Sequence, residues 1–155
     1  MIVTIIGLGL IGGSIAVDLR KTGFATELIG FDNSEKHCEK ALRLGLVDQI
    51  KPLQQAVKGV DIVVVAVPVD KIAVILPEVL DLIDPSTSVT DVGSTKHVIC
   101  QGVDNHPRRG NYVPAHPMSG TENSGPEAAM EGLFKEKICI ICDQEQAKPQ
   151  HLALI

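Results

Sequence analysis

The run VDIVVVAV, residues 60–67, restricts the fold more than any other stretch of this 155-residue chain. An unbroken apolar strand offers no face to water, so both of its faces must be covered. A parallel sheet with helices on each side does that. The neighbouring segments supply such a sheet. IVTII (2–6), ELIGFD (27–32), SVTDV (88–92) and NYVPA (111–115) read as strands, and ICIIC (138–142) as a buried one. LVDQI (46–50) reads as a short edge strand. Helical patterns fall at 10–21, 34–45, 70–83, 94–103 and 127–134, with another expected from Gln144 onward. Ser34 can cap the second helix and Gly45 can stop it. Repeated β-α-β units imply an α/β fold with a doubly wound, mostly parallel sheet.

Between the first strand and the first helix, Gly7, Gly9, Gly12 and Gly13 fall within seven residues. Gly7-Leu8-Gly9-Leu10-Ile11-Gly12 fits G-x-G-x-x-G in the strand-to-helix context the pattern requires. Gly7 permits the tight turn, Gly9 lets a pyrophosphate approach the backbone, and Gly12 lets the helix pack close to the sheet. The fingerprint also asks for an acidic residue ~20 positions on, and Asp32 ends the second strand there. Its carboxylate can bind both adenosine ribose hydroxyls and would repel a 2′-phosphate. The reading is a Rossmann-type domain that prefers NAD to NADP.

Composition narrows the partners. The formal charge is −5, which argues against nucleic acid or an anionic membrane. The apolar N-terminus lacks the basic start and small-residue cleavage site of a signal peptide, and no membrane span is expected, so the protein reads as cytoplasmic. Cys139 and Cys142 form C-x-x-C. Three positions apart on a strand, they point to opposite faces, and no second Cys/His pair lies at zinc spacing. All four cysteines therefore read as buried and reduced, with no metal site.

In an open parallel sheet, ligands bind outside the carboxyl ends of the strands. Val67 and Pro68 follow the 60–67 strand and can border a nicotinamide. Ser94, Thr95 and Lys96 follow the fourth long strand, and His116 ends the 111–115 strand. A neutral imidazole there can take a proton from a substrate hydroxyl as hydride leaves the same carbon. It can equally hold the loop by a backbone hydrogen bond. Ser94 or Thr95 can cap the next helix, and Ser94 can also offer its hydroxyl to a substrate. Lys96 can meet an anion or stay solvated, and Glu122 reads as a loop carboxylate. His37, His97, His106 and His151 read as surface residues, and Arg108 and Arg109 as a solvated loop.

Four segments, IIGLGLIGGSIA, VVVAVPV, TDVGSTK and PAHPMSGTENSG, resemble the prephenate dehydrogenase family, with the arogenate and cyclohexadienyl dehydrogenases, in order and spacing. The resemblance implies NAD-dependent oxidative decarboxylation of prephenate to 4-hydroxyphenylpyruvate, in tyrosine biosynthesis. His116 matches the histidine that binds the substrate hydroxyl and takes its proton. Ser94 matches a serine on the same hydroxyl near the nicotinamide, and Glu122 an acidic residue at the pocket entrance. Gly7, Gly9, Gly12 and Asp32 match the cofactor site. Family members continue into a helical domain that forms a homodimer, closes the cleft and supplies an arginine for a substrate carboxylate. The expectation is thus a cofactor domain at 1–143, with 144–155 starting a helix toward that absent domain. Prephenate and arogenate both remain open as substrates, as does tyrosine as a feedback inhibitor. Two other readings stay beside this one: a different NAD(P)-dependent reductase, and a module that binds NAD without catalysis.

Overall fold

A computed structural model describes residues 1–155. Seven strands form one sheet: β1 (Ile2–Ile6), β2 (Glu27–Phe31), β3 (Gln49–Ile50), β4 (Ile62–Val65), β5 (Ser88–Asp91), β6 (Tyr112–Pro117) and β7 (Cys139–Ile141). Their order is β3-β2-β1-β4-β5-β6-β7, parallel throughout except for β7, which runs antiparallel to β6. The order reverses between β1 and β4, which is where a doubly wound sheet opens its ligand crevice.

The apolar run that demanded two covered faces has them. Val63 and Val65 enter one core with Ile72, Leu76, Val79 and Ile99, while Ile62 and Val64 enter the other with Ala16 and Ala41. The first core lies under α3 (Leu53–Ala56), α4 (Val69–Leu82) and α5 (His97–Gln101). The second lies under α1 (Leu10–Lys21) and α2 (Glu35–Arg43), and Leu154 of α6 (Pro149–Leu154) packs against it. Ser34 caps α2 by accepting from the His37 amide at 3.3 Å, and Gly45, at φ +68°, follows its end. No helix is long and apolar enough to cross a membrane.

Several expectations are corrected. The helix expected at 94–103 shortens to His97–Gln101, and neither Ser94 nor Thr95 caps it. The helix expected at 127–134 is a 3-10 turn, Pro126–Ala128, followed by turns. From Gln144 there is first a 3-10 turn, and α6 starts only at Pro149, because Lys148 before the proline is extended. The short α3 went unread. Cys139–Ile141 is exposed along its whole length, because it is the edge strand of the sheet, paired only with β6. Cys139 is therefore exposed and Cys38 and Cys142 half-buried, leaving Cys100 as the one buried cysteine; all four are free.

The segment after β6 returns to α1. The Met130 amide donates to Ser14 Oγ at 3.0 Å, the Gly132 amide to Asp18 Oδ1 at 2.8 Å, and Lys21 pairs with Glu131. A Cβ on Gly13 would lie 2.7 Å from that of Ala129, which explains the fourth glycine of the cluster.

Candidate cofactor and substrate cleft

A cavity of about 990 Å³ opens across the carboxyl ends of β2, β1, β4, β5 and β6. Gly7, Gly9, Leu10 and Ile11 line it at the centre, Asp32 and His37 at the β2 end, Val67 and Pro68 after β4, and Ser94 and His116 beyond them. The sheet thus collects residues spread over more than a hundred positions into one cleft.

Each glycine has its own cause. Gly7 has φ +96°, and a Cβ there would lie 2.6 Å from the Ala66 carbonyl oxygen. A Cβ on Gly12 would run into the Gly7 carbonyl oxygen, so Gly12 lies on the buried side of α1, against β1 and away from the cleft. Gly9 differs from both: its φ of −80° suits any residue, and a Cβ would meet no protein atom within 4 Å. Protein packing does not require glycine there, whereas a ligand lying against the backbone would. Gly9 is also the N-cap of α1, which has no side-chain cap and no acidic residue in its first turn. The helix's free amides and positive end are left for an anion.

Asp32 is held in place by the backbone. Oδ2 accepts from the Leu8 amide at 2.8 Å and Oδ1 from the Ser34 amide at 2.8 Å. Leu8 itself is fully buried, so its contribution is that amide. His37 Nδ1 stands 3.4 Å from Oδ2 and lines the cleft, so this imidazole belongs to the site and not to a bare helix surface.

Ser94, after β5, and His116, on the neighbouring β6, both line the cleft although 22 positions separate them. The His116 ring makes no hydrogen bond to the rest of the chain, unlike those of His37, His106 and His151. Lys96 is elsewhere: its ammonium lies 2.5 Å from buried Asp91 and its side chain is only 11% exposed. Glu122 is exposed and outside the lining, while its neighbours Asn123, Ser124 and Gly125 take part in it. No three His, Cys, Asp or Glu side chains converge on a possible metal position.

Four residues expected at the surface or in a solvated loop are buried or half-buried. His151 is buried, with Nδ1 2.7 Å from Ser88 Oγ. Burial, and then the nearby Lys148 charge, push its pKa down. Arg109 is buried over the Tyr112 ring, 5.2 Å from its centroid, and donates to the Tyr112 carbonyl at 3.0 Å. Arg108 caps α4 from outside, donating to the Leu80 and Asp81 carbonyls. His106, also expected at the surface, is half-buried against Asp81. A further cleft wall, not expected from the sequence, is formed by Lys71, Val74, Ile75 and Glu78 of α4. Their helical spacing was the available signal, since Val74 interrupts the polar face with an apolar side chain 74% exposed.

The comparisons point one way. A family model described as "Prephenate dehydrogenase, nucleotide-binding domain" matches residues 15–155. The match starts beyond Gly12, so the glycine turn stands on its own geometry. The chain is 37% identical to the prephenate dehydrogenase of Bacillus subtilis, over 93% of its own length and 40% of that protein's. It superposes on the crystal structure of A. aeolicus prephenate dehydrogenase in complex with hydroxyphenyl propionate and NAD+, with TM-score 0.90 and 28% identity, covering 99% of this chain and 54% of that one. Synechocystis arogenate dehydrogenase is 30% identical with TM-score 0.84, again over 99% of this chain and 54% of the other. The chain therefore spans about half the length of these relatives, or less.

Proposed function

Because the chain belongs to the prephenate dehydrogenase family, as its nucleotide-binding domain, we propose that it binds NAD along the cleft and supplies the proton acceptor for oxidative decarboxylation of prephenate. One observation carries this reading. A single cavity holds an open glycine backbone and Asp32 at one end and an unengaged histidine and serine at the other.

The chain's residues divide the work by position. The free amides of α1 take the pyrophosphate, and a Cβ-free Gly9 leaves room for it. Asp32 accepts from the adenosine ribose hydroxyls and disfavours a 2′-phosphate, so NAD is preferred to NADP. Bound NAD supplies the hydride acceptor. His116 takes the proton of the substrate's ring hydroxyl as the C–H bond at that carbon breaks, and Ser94 orients the same hydroxyl. The ring carboxylate then leaves as carbon dioxide, its bonding pair makes the ring aromatic, and the resulting phenolate takes a proton back from His116 to give 4-hydroxyphenylpyruvate. Glu122 sits in the loop at the cleft's rim, in keeping with an entrance role. The carboxylate-binding arginine, the dimer contacts and any response to tyrosine we assign to residues outside 1–143.

The test is NADH formation with NAD and prephenate, then with arogenate, alongside NAD affinity. His116→Asn is expected to lose about 10²–10⁴ in turnover while NAD affinity stays within about twofold. An active His116→Asn variant would remove the assigned role. NAD binding without turnover, even in a longer chain, would favour a binding module.

A further inference from the structure

Asp91 is fully buried at the end of β5 and collects three donors. Tyr112 Oη donates to Oδ1 at 2.6 Å, the Gly93 amide to Oδ2 at 2.9 Å, and Lys96 Nζ to Oδ2 at 2.5 Å. Gly93 and Lys96 bracket Ser94. Tyr112 begins the strand that His116 nearly ends. Gly93 has no room for a side chain: a Cβ there would lie 3.0 Å from Asp91 Oδ2 and 2.9 Å from Ile72 Cδ1. Burial and the Asp91 charge hold the Tyr112 phenol far above its ordinary pKa, so it stays a neutral donor.

A buried carboxylate unpaired with charge would be expensive, and Lys96 provides the counter-charge. The group is therefore a satisfied network, and such networks hold one arrangement. Resting on the function proposed above, we infer that Asp91 is a positioning residue: it sets the turn that presents Ser94 to the cleft His116 also lines, with Lys96 and Tyr112 as its partners. Lys96 then serves the site through Asp91 and touches no substrate.

Asp91→Asn tests this. The amide keeps one acceptor for Tyr112 but turns N–H donors toward the Gly93 amide and Lys96. Turnover is measured for Asp91→Asn, Ser94→Ala and the double variant, with ADP-ribose affinity as a control on the adenosine half. Asp91→Asn is expected to lose about tenfold in kcat alone but less than about twofold on top of Ser94→Ala, because the two act as a unit. ADP-ribose affinity stays within about twofold of wild type. Losses that multiply would overturn the inference, and so would an equal loss of ADP-ribose binding, which marks a general structural defect. Tyr112→Phe, which deletes one hydroxyl, repeats the cycle if the Asn variant folds poorly.

Hydrogen exchange at residues 93–96 needs no turnover. Faster exchange confined to that turn supports the positioning role, and unchanged exchange overturns it. A wild type extended through the helical domain that binds NADH but forms none from prephenate sinks the proposed reaction alone, and exchange then decides this point.

Discussion

Gly9→Ala separates ligand binding from folding at one atom. The new Cβ meets no protein atom within 4 Å, and φ −80° with ψ −161° is open to alanine. Two small effects on stability oppose each other. Alanine restricts the unfolded chain and stabilises by about 0.4–1 kcal/mol. As an N-cap it is poorer than glycine by a comparable amount, roughly 0.5–1 kcal/mol. The net lies within about 0.5 kcal/mol, or some 2 °C in Tm for a chain of this size. Binding has no such cancellation, because the methyl stands between the α1 amides and the pyrophosphate. Each charge-assisted hydrogen bond is worth about 1.5–3 kcal/mol, so losing two weakens NAD by at least about a hundredfold. Thermal unfolding without ligand and titration calorimetry with NAD read the two quantities separately. Gly12→Ala is the control: its Cβ strikes the Gly7 carbonyl, so it should lower Tm by several degrees. A Gly9→Ala protein that binds NAD within about threefold of wild type would refute the reasoning.

Other outcomes follow from the same geometry. On the cofactor placement proposed above, Asp32→Asn removes the charge assigned to the 2′ position, so the NAD-to-NADP affinity ratio should fall by at least about tenfold, measured by calorimetry with each cofactor. For His151 the folded pKa is depressed, so the unfolded chain binds the proton more readily. Its contribution is intact above the unfolded value of about 6.5 and is lost as pH falls from there toward the folded pKa, with a slope approaching ~1.4 kcal/mol per pH unit. Urea unfolding from pH 7.5 to 5 should show His151→Gln with a flatter profile than wild type. Burial, followed by the neighbouring Asp143, pushes the Cys100 thiol up to about 12. Brief alkylation near pH 8 should leave Cys100 untouched and mark exposed Cys139 first, as read by peptide mass spectrometry.

The β-α alternation was legible because each long strand is covered on both faces and writes that burial into its composition. Gly7, Gly9 and Asp32 were legible because a fixed turn geometry sets their spacing. What escaped depends on partners distant in sequence. The apolar composition of 138–142 suggested burial, but sheet order puts β7 at an edge. His151 looked like a surface residue because nothing local reveals that Ser88, 63 positions away, receives its ring. The helix after β5 starts late because Asp91 takes the Gly93 amide and Lys96, a competition visible only once the side chains are placed.

The return of residues 126–132 to α1 also has a temporal consequence. Its ties to Ser14, Asp18 and Lys21 span 116, 114 and 110 positions. Contacts of such separation carry the largest loop-closure entropy and are expected late in folding, after the local β-α units have formed. The glycine turn and Asp32 are complete within the first 32 residues, long before the strap can dock. Once β4 has paired with β1, the glycine turn has its packing partner Ala66, still ahead of the half of the cleft that bears His116.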